Sequence, residues 1–395
     1  MKSVVFLIKC MNGGGAERVV SLLSNHLAFL GYDVTVILTN QSLSKAQFQE
    51  LSSKVNVISL EDLNLKRHPV FIRVGLHFAK KIERIAGQQQ EKYYRILIKK
   101  YKARNYDKLV YLKKYFRKKK NCSVVAFLYD SMFYALLSAN DRNRVVISER
   151  ADPVQTLSNK TNAAFVYSMF EKADEMVFQS PDAMQWYREN TNVKGKVIFN
   201  PIKPDLPDRY IGKRKKRIVN FCRISPQKKL DTLIDAFDEF AELHNDYELY
   251  IFGNSDPVEA EYYEFVKEKI DSAKHKGRIH LLPAKQDIHS EILNYAMFVS
   301  SSYFEGMSNS MLEAMAIGLP TICTDCPAGG ARAVIKDHEN GVLVPVNDVQ
   351  AMADAMKEVA GNPELAEKLS INGSKIREDL SVDKIVNQWM EIING

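Results

Sequence analysis

The feature that most limits how this 395-residue chain can fold is an alternation sustained almost from end to end: short apolar, strand-like runs separated by helix-length amphipathic segments. "SVVFLIKC", a "NGGG" turn and "AERVVSLLSNHLAFL" open the series, and Gly31 stops the helix. "YDVTVIL" and "KVNVISL" follow as strands, and beyond a basic stretch come "SVVAFLY", "RVVISER", "EMVFQS" and "KVIFNPI". Strands alternating with helices predict a parallel sheet wrapped by helices. The stretch "NPIKPDLPDRYIGKRKKR" is proline-rich and charged and carries neither period, so residues 203–216 read as a linker. The pattern then restarts with "RIVNFCRI", "KKLDTLIDAFDEFAELH", "YELYIFG" and "EYYEFVKEKIDSAKHKG", a helix ended by Gly277, and continues through "RIHLLP", "MFVSSS", "TICTD" and "GVLVPV" into closing helices. The expectation is an α/β chain of two Rossmann-like, doubly wound domains, 1–202 and 217–378, with a final helix at 379–395. A hydrophobic content of 46% suffices for two cores. Ligands of open α/β sheets lie at the carboxyl ends of the strands, so two facing domains predict a central cleft with its chemistry in the turns that follow strands.

Several classes are disfavoured. The apolar run Val4 to Ile8 is too short for a signal peptide, and Lys9 before Cys10 does not suit a lipoprotein cleavage site. No stretch reaches about 18 uninterrupted apolar residues; the nearest, "SVVAFLYDSMFYALLSA", carries Asp130 and reads as strand, turn and helix. Five scattered cysteines make no disulfide framework, which fits a reducing, cytosolic compartment. Cys323 and Cys326 form a lone C-x-x-C, with no second pair to complete a zinc site.

Four turns carry candidate chemistry. Gly13, Gly14 and Gly15 lie between a strand and a helix, where backbone can approach a ligand and free N–H groups meet an anion. The spacing matches neither the dinucleotide fingerprint nor the P-loop, and a tight turn needing positive φ explains it as well. Arg223, at a strand end, and Lys228, five residues on, suit a diphosphate clamp, or are solvated surface charges. In "SSYFEGMSNSMLEAMAIGLP", Glu305 falls in a turn, Ser308 or Asn309 caps a helix, and Glu313 lies about a turn inside it among apolar neighbours. A buried carboxylate there needs a partner, either ribose hydroxyls or a neighbouring backbone group. Gly306, Met307, Ser308 and Asn309 would present helix N–H groups to phosphate. Finally, "DCPAGGARAVIKDHENGVLV" reads as a glycine pair, a short helix and a turn, framing a sugar pocket or simply turning the chain.

In their order, the glycine turn, Arg223 with Lys228, Glu305 separated by seven residues from "EAMAIGLP", and "GGARAVIKDHENGVLVPVND" resemble the retaining glycosyltransferases of family 4, which have the two-Rossmann GT-B fold. The resemblance covers most of the chain and is weakest between about residues 61 and 120. It implies that Glu305 contacts the transferred sugar and Glu313 the nucleotide ribose. It implies that Arg223, Lys228 and the helix start at Ser308 and Asn309 neutralise a leaving diphosphate, without a metal or other cofactor. Gly14 and Gly15 would approach the donor, and Gly13, Glu149 and Arg150 are acceptor-side candidates. The donor implied is a nucleoside-diphosphate-sugar, UDP before GDP. The closing helix would cross back to the first domain. The chain departs from the family pattern in two places: Arg150 stands where many members have histidine, and Ala333 where many have glutamate. No Asp-x-Asp metal motif is present.

The net charge of +7 is unevenly spread. Residues 66–120 hold 19 Lys and Arg against 3 Asp and Glu, and the rest of the chain 36 against 45. Apolar residues recur there at near-helical spacing, which suits a helix lying on an anionic membrane, a nucleic-acid contact, or a surface helix packed on its own domain. No nucleic-acid motif accompanies it. With the resemblance, it implies docking to the inner face of the cell membrane, where a polyprenyl-diphosphate-linked glycan acceptor waits, in bacterial surface polysaccharide assembly. The competing readings are a catalytically silent lipid- or nucleic-acid-binding protein of the same fold and a nucleotide-sugar epimerase.

Overall fold

The structure is a computed structural model and describes residues 2–46, 51–65, 90–119, 121–156, 160–255 and 259–395. The chain divides into two units. The first comprises Met1–Phe178, Met184–Ile198 and Val386–Gly395; the second comprises Gln179–Ala183 and Phe199–Ile385.

The first unit holds a seven-stranded sheet of β1 (Ser3–Ile8), β2 (Asp33–Leu38), β3 (Asn56–Ser59), β4 (Cys122–Phe127), β5 (Arg144–Ser148), β6 (Glu175–Phe178) and β7 (Gly195–Val197) in the order β3-β2-β1-β4-β5-β6-β7. Every pairing is parallel. The strands are near-continuous apolar runs because helices cover both faces. Val5, Leu7, Val124, Ala126 and Ile147 are buried in one core with Phe133, Phe170 and Tyr187. Helix Val382–Asn394 begins in the second unit and ends in the first, where Trp389 is fully buried and stacks on Phe127 with ring centroids 5.6 Å apart.

The second unit has a six-stranded parallel sheet of β8 (Lys215–Phe221), β9 (Glu248–Phe252), β10 (Ile279–Leu282), β11 (Tyr295–Ser300), β12 (Thr321–Thr324) and β13 (Val342–Val344), ordered β10-β9-β8-β11-β12-β13. Helix Leu230–Ala241 seats Leu230, Leu233, Ile234, Phe237 and Phe240 in its core. The stretch read as a linker is fixed along this unit: Ile202 bridges to Ser381, and the Arg377 guanidinium donates to the carbonyls of Leu206 and Pro207 (3.1 Å to the latter). Arg214 likewise donates to the carbonyls of Leu293, Tyr295 and Gly318.

Two details differ from the sequence expectation. The "GGARAV" stretch is a succession of turns instead of a short helix, because Ala328 (φ 70°) and Gly329 (φ 67°) both take the left-handed conformation that interrupts helical winding. In the basic segment, residues 66–89 and 120 lie outside the described residues, and the remainder forms helices Gln90–Arg104 and Tyr106–Lys118. Their apolar face is spent on the domain itself: Leu109, Leu112 and Phe116 are buried in the first core, with Leu97, Ile98 and Tyr101 packed against it. That face is therefore not free for a membrane. Among the described residues no helix is long and apolar enough to cross one.

Candidate functional site

In the second unit, the turn after β8 and the turn after β11 are built against each other. Ser225 to Lys229 wind into a short 3-10 turn, Pro226–Lys228, and Lys229 leaves it in the left-handed conformation (φ 46°) to start helix Leu230–Ala241. The hydroxyl of Ser301 donates to the carbonyls of Lys228 and Lys229, both at 2.8 Å, and Tyr303 N–H donates to the Gln227 carbonyl at 2.8 Å. These bonds aim two side chains at Glu305. Lys228 Nζ lies 2.9 Å from each carboxylate oxygen, and Gln227 Nε2 donates to Oε2 at 2.9 Å and to the Phe304 carbonyl at 2.8 Å. Both partners of the ion pair are largely buried, with side-chain exposures of 13% for Lys228 and 18% for Glu305. Burial pulls the lysine pKa down, but the Glu305 carboxylate outweighs it and holds the ammonium above its ordinary value. Lys228 is thus a permanent cation at neutral pH. Arg223 does not join the pair; its half-exposed side chain lies 3.7 Å from Glu259.

Helix Asn309–Ala316 begins just beyond Glu305, and Ser308 is its cap, accepting from Met311 N–H. The loop before it is held from two sides. Asn200, buried after β7, donates to the Met307 carbonyl at 3.2 Å and to Asn309 Oδ1 at 2.7 Å, and accepts from Gln179 at 2.9 Å. From the other side Gly330 packs so closely that a Cβ built there would lie 1.5 Å from the Gly306 carbonyl oxygen. The glycine pair therefore shapes the loop that holds Gly306 and Met307, a role the turn reading alone did not supply. Glu313, 4% exposed, meets a side chain: His289 Nε2 is 2.9 Å from its Oε2.

The first unit places the other candidates. Gly13 takes φ 83°, Gly14 is the cap of helix Gly15–Phe29, and all three glycines are exposed. The Glu17 side chain folds back on this turn: a Cβ on Gly14 would lie 2.0 Å from Glu17 Oε2, and Cys10 Sγ contacts Oε1 at 3.3 Å. The turn read as an anion cradle already faces a carboxylate, which the sequence reading missed although glutamate three residues past a cap is a recognisable signal. Glu149 is buried and occupied: it accepts from Arg150 N–H at 2.8 Å, Ala151 N–H at 3.0 Å and the Tyr187 hydroxyl at 3.1 Å, while burial pushes its pKa up. The Arg150 guanidinium lies over the Phe127 ring at 4.5 Å and Trp389 at 5.7 Å. Both side chains are thus engaged in packing the first unit.

Cys323 and Cys326 are buried free thiols; burial pushes Cys326 up to about 12 and Cys323 higher still, so neither is a ready nucleophile. Among the described residues no group of three or more His, Cys, Asp or Glu is placed to hold a metal.

Residues 204–376 match the family described as Glycosyl transferases group 1. A glycosyltransferase of Haemophilus influenzae is 22% identical over 396 residues, covering 100% of both chains. An N-acetylgalactosamine-N,N'-diacetylbacillosaminyl-diphospho-undecaprenol 4-alpha-N-acetylgalactosaminyltransferase of Campylobacter jejuni is 25% identical over 377 residues, 90% of each chain. The crystal structure of Anabaena HepE in complex with UDP-glucose superposes with a TM-score of 0.77 at 15% identity, covering 100% of both chains, which establishes the fold.

Proposed function

We propose that this chain, whose residues 204–376 match the group 1 glycosyltransferases and which has the GT-B fold, is a retaining, metal-independent enzyme that moves a sugar from a nucleoside-diphosphate-sugar to a glycan acceptor. The observation that carries this reading is the Lys228–Glu305 pair beside the Ser308-capped helix start. A buried cation, a carboxylate and a helix start, brought together by two adjoining turns, suit a diphosphate esterified to a sugar.

In the proposed reaction the donor's diphosphate takes Lys228, with Arg223 swinging from Glu259 to assist, and Glu305 turns to the sugar hydroxyls. The bond between the anomeric carbon and the phosphate oxygen breaks as the acceptor hydroxyl attacks from the same face. Its proton passes to the leaving phosphate oxygen, so no covalent enzyme intermediate is needed. Fixed cations and N–H dipoles stabilise the charge developing on that oxygen without rearrangement. Glu313 holds the ribose. The glycine turn, already facing the Glu17 carboxylate, suits hydroxyl groups better than phosphate and is assigned to the acceptor.

UDP is favoured as the nucleotide, supported by the UDP-glucose bound to HepE. A polyprenyl-diphosphate-linked acceptor at the cytoplasmic membrane face, in bacterial surface glycan assembly, is supported by the name of the Campylobacter relative. The exposed lysines and arginines at 99, 102, 113, 114, 117 and 118 supply a positive surface there, and with the apolar face buried the docking is electrostatic.

The test is a melt in the presence of UDP, GDP and their sugars, with and without Mg²⁺. A nucleotide at 100 times its Kd adds about 2.7 kcal/mol of stability. A Mg²⁺-independent shift with UDP that is lost in Glu313→Ala supports the reading. No shift with any nucleotide in a folded sample rejects it.

A further inference from the structure

The proposed reaction gives Glu313 to the ribose but leaves His289 unused, and the buried contact between the two links residues that lie 24 apart in the chain. His289 sits in the short helix Ile288–Ile292 between β10 and β11, and Glu313 in helix Asn309–Ala316 after β11. Both side chains are nearly sealed from solvent, at 9% and 5% exposure. The imidazole is fixed on three counts. Its Nε2 is 2.9 Å from Glu313 Oε2, its ring stands perpendicular to Phe221 (5.8 Å, 88°), and its helix is capped by Asp287 accepting from Ser290 N–H. Phe221 is itself locked edge-on against Phe298 at 5.3 Å. A carboxylate cannot donate, so Nε2 carries the hydrogen in this bond.

We infer that His289 is a positioning residue for ribose recognition: by holding Oε2 it fixes the rotation of the Glu313 carboxylate and keeps it oriented for the ribose hydroxyls. The inference rests on the reading of Glu313 as the ribose-holding carboxylate. A carboxylate turning freely about its terminal torsion, which has only broad preferences, would hold a hydroxyl less well. Orientation by a neighbouring donor removes that freedom, as partners of metal-bound histidines do for their rings.

The experiment is calorimetric titration of the full chain with UDP, 2′-deoxy-UDP and 3′-deoxy-UDP. The wild type is expected to bind UDP about tenfold or more tighter than at least one deoxy analogue, because a charged hydrogen bond to a hydroxyl is lost. Glu313→Ala abolishes that preference. His289→Leu reduces it to within about threefold, and His289→Gln, whose amide nitrogen reaches the same place, restores most of it. In turnover, the donor KM rises in His289→Leu far more than kcat falls.

A purely structural role would lower the melting temperature of His289→Leu and leave the ribose preference intact, and that result overturns the inference while leaving the Glu313 reading in place. Equal binding of all three ligands by wild type and Glu313→Ala overturns both together. Should His289→Leu fail to fold, His289→Gln against His289→Asn decides: the shorter amide falls short of Glu313, so equal preference in the two variants also overturns it.

Discussion

Glu149 and Glu305 make an instructive pair. Each is an acid in the turn after a strand, β5 in one sheet and β11 in the other, and each is largely or wholly withdrawn from water. Glu149 is closed off by two backbone N–H groups and the Tyr187 hydroxyl. Glu305 is held by the tips of two long side chains, Lys228 and Gln227. Backbone donors cannot leave without unfolding the turn, whereas a lysine and a glutamine can be redirected by rotating a few side-chain bonds. A buried carboxylate is thus poised for a ligand when its present partners are exchangeable. The same test separates Arg150, packed over the Phe127 and Trp389 rings, from Lys228, whose ammonium bonds a side-chain carboxylate that can turn away.

The sharpest way to break this comparison is to neutralise both acids. Glu305→Gln keeps shape and burial but removes the charge that balances Lys228, and it is expected to lower kcat by a factor of about 100 or more, roughly 2.7 kcal/mol of transition-state stabilisation. Glu149→Gln is expected to leave kcat per folded molecule within about twofold. Steady-state kinetics on both variants decides, and a loss of turnover in Glu149→Gln matching that in Glu305→Gln would end the distinction.

Next in size is Gly330→Ala. Its new Cβ cannot coexist with the Gly306 carbonyl, so the loop carrying Met307 and Ser308 must move. The expected cost is about 1–3 kcal/mol, the usual range for overpacking, read both as a lower melting temperature and as weaker nucleotide binding. Ala333→Gly, three residues on, removes a Cβ instead of adding one and serves as the control for changing this stretch. Nucleotide affinity unchanged in Gly330→Ala would show that the glycine pair does not shape a loop that binds nucleotide.

Glu149→Ala, which strips the partner from Tyr187 and from two backbone N–H groups, tests the other half of the comparison. Leaving such buried donors unsatisfied costs about 1–3 kcal/mol. The melting temperature should fall by several degrees, at roughly 2–4 °C per kcal/mol for units of this size, with nucleotide affinity unchanged.

How far these features could be read from sequence follows their range along the chain. The strand–helix alternation, the restart near residue 217 and the Ser308 cap are local: each depends on periodicity or on one residue and its neighbour three positions on, as Ser308 and Met311 show. The pairing of Lys228 with Glu305 spans 77 residues, and each side chain alone looks like an ordinary surface charge. Their neighbourhood became visible only through family resemblance. His289, 24 residues from Glu313, and Asn200, 107 from Met307, carry no local signal, because what makes them matter is which turn the sheet order brings beside them. The "GGARAV" helix failed for a local reason: alanine at 328 in a left-handed conformation is imposed by packing and cannot be foreseen from its propensity. In the basic segment, amphipathic periodicity says that a face is apolar and is silent on what covers it; in helices Gln90–Arg104 and Tyr106–Lys118 the domain does.

The smallest expected effect extends the comparison to a titrating pair at the surface of the second unit. His338 lies 3.1 Å from Glu358 and 3.0 Å from Asp337. Partial burial works against its charged form, but the hydrogen bonds to the two carboxylates prevail and raise its pKa above the ordinary 6.5. A raised folded-state value means that the folded chain binds the proton more tightly than the unfolded one. The stabilisation is therefore complete below pH 6.5 and is lost as pH rises through the folded value above it. Because the imidazole is about half exposed, at 47%, solvent screening confines the contribution to a few tenths of a kcal/mol. Melts at about pH 6 and about pH 8 should show wild type losing slightly more stability across that interval than His338→Gln. A carboxylate partner, which in the interior lets Glu305 hold Lys228 permanently charged, yields only a shallow slope here at the surface. A slope in wild type as steep as a buried pair gives, or one that survives His338→Gln unchanged, would show that exposure is not what separates them.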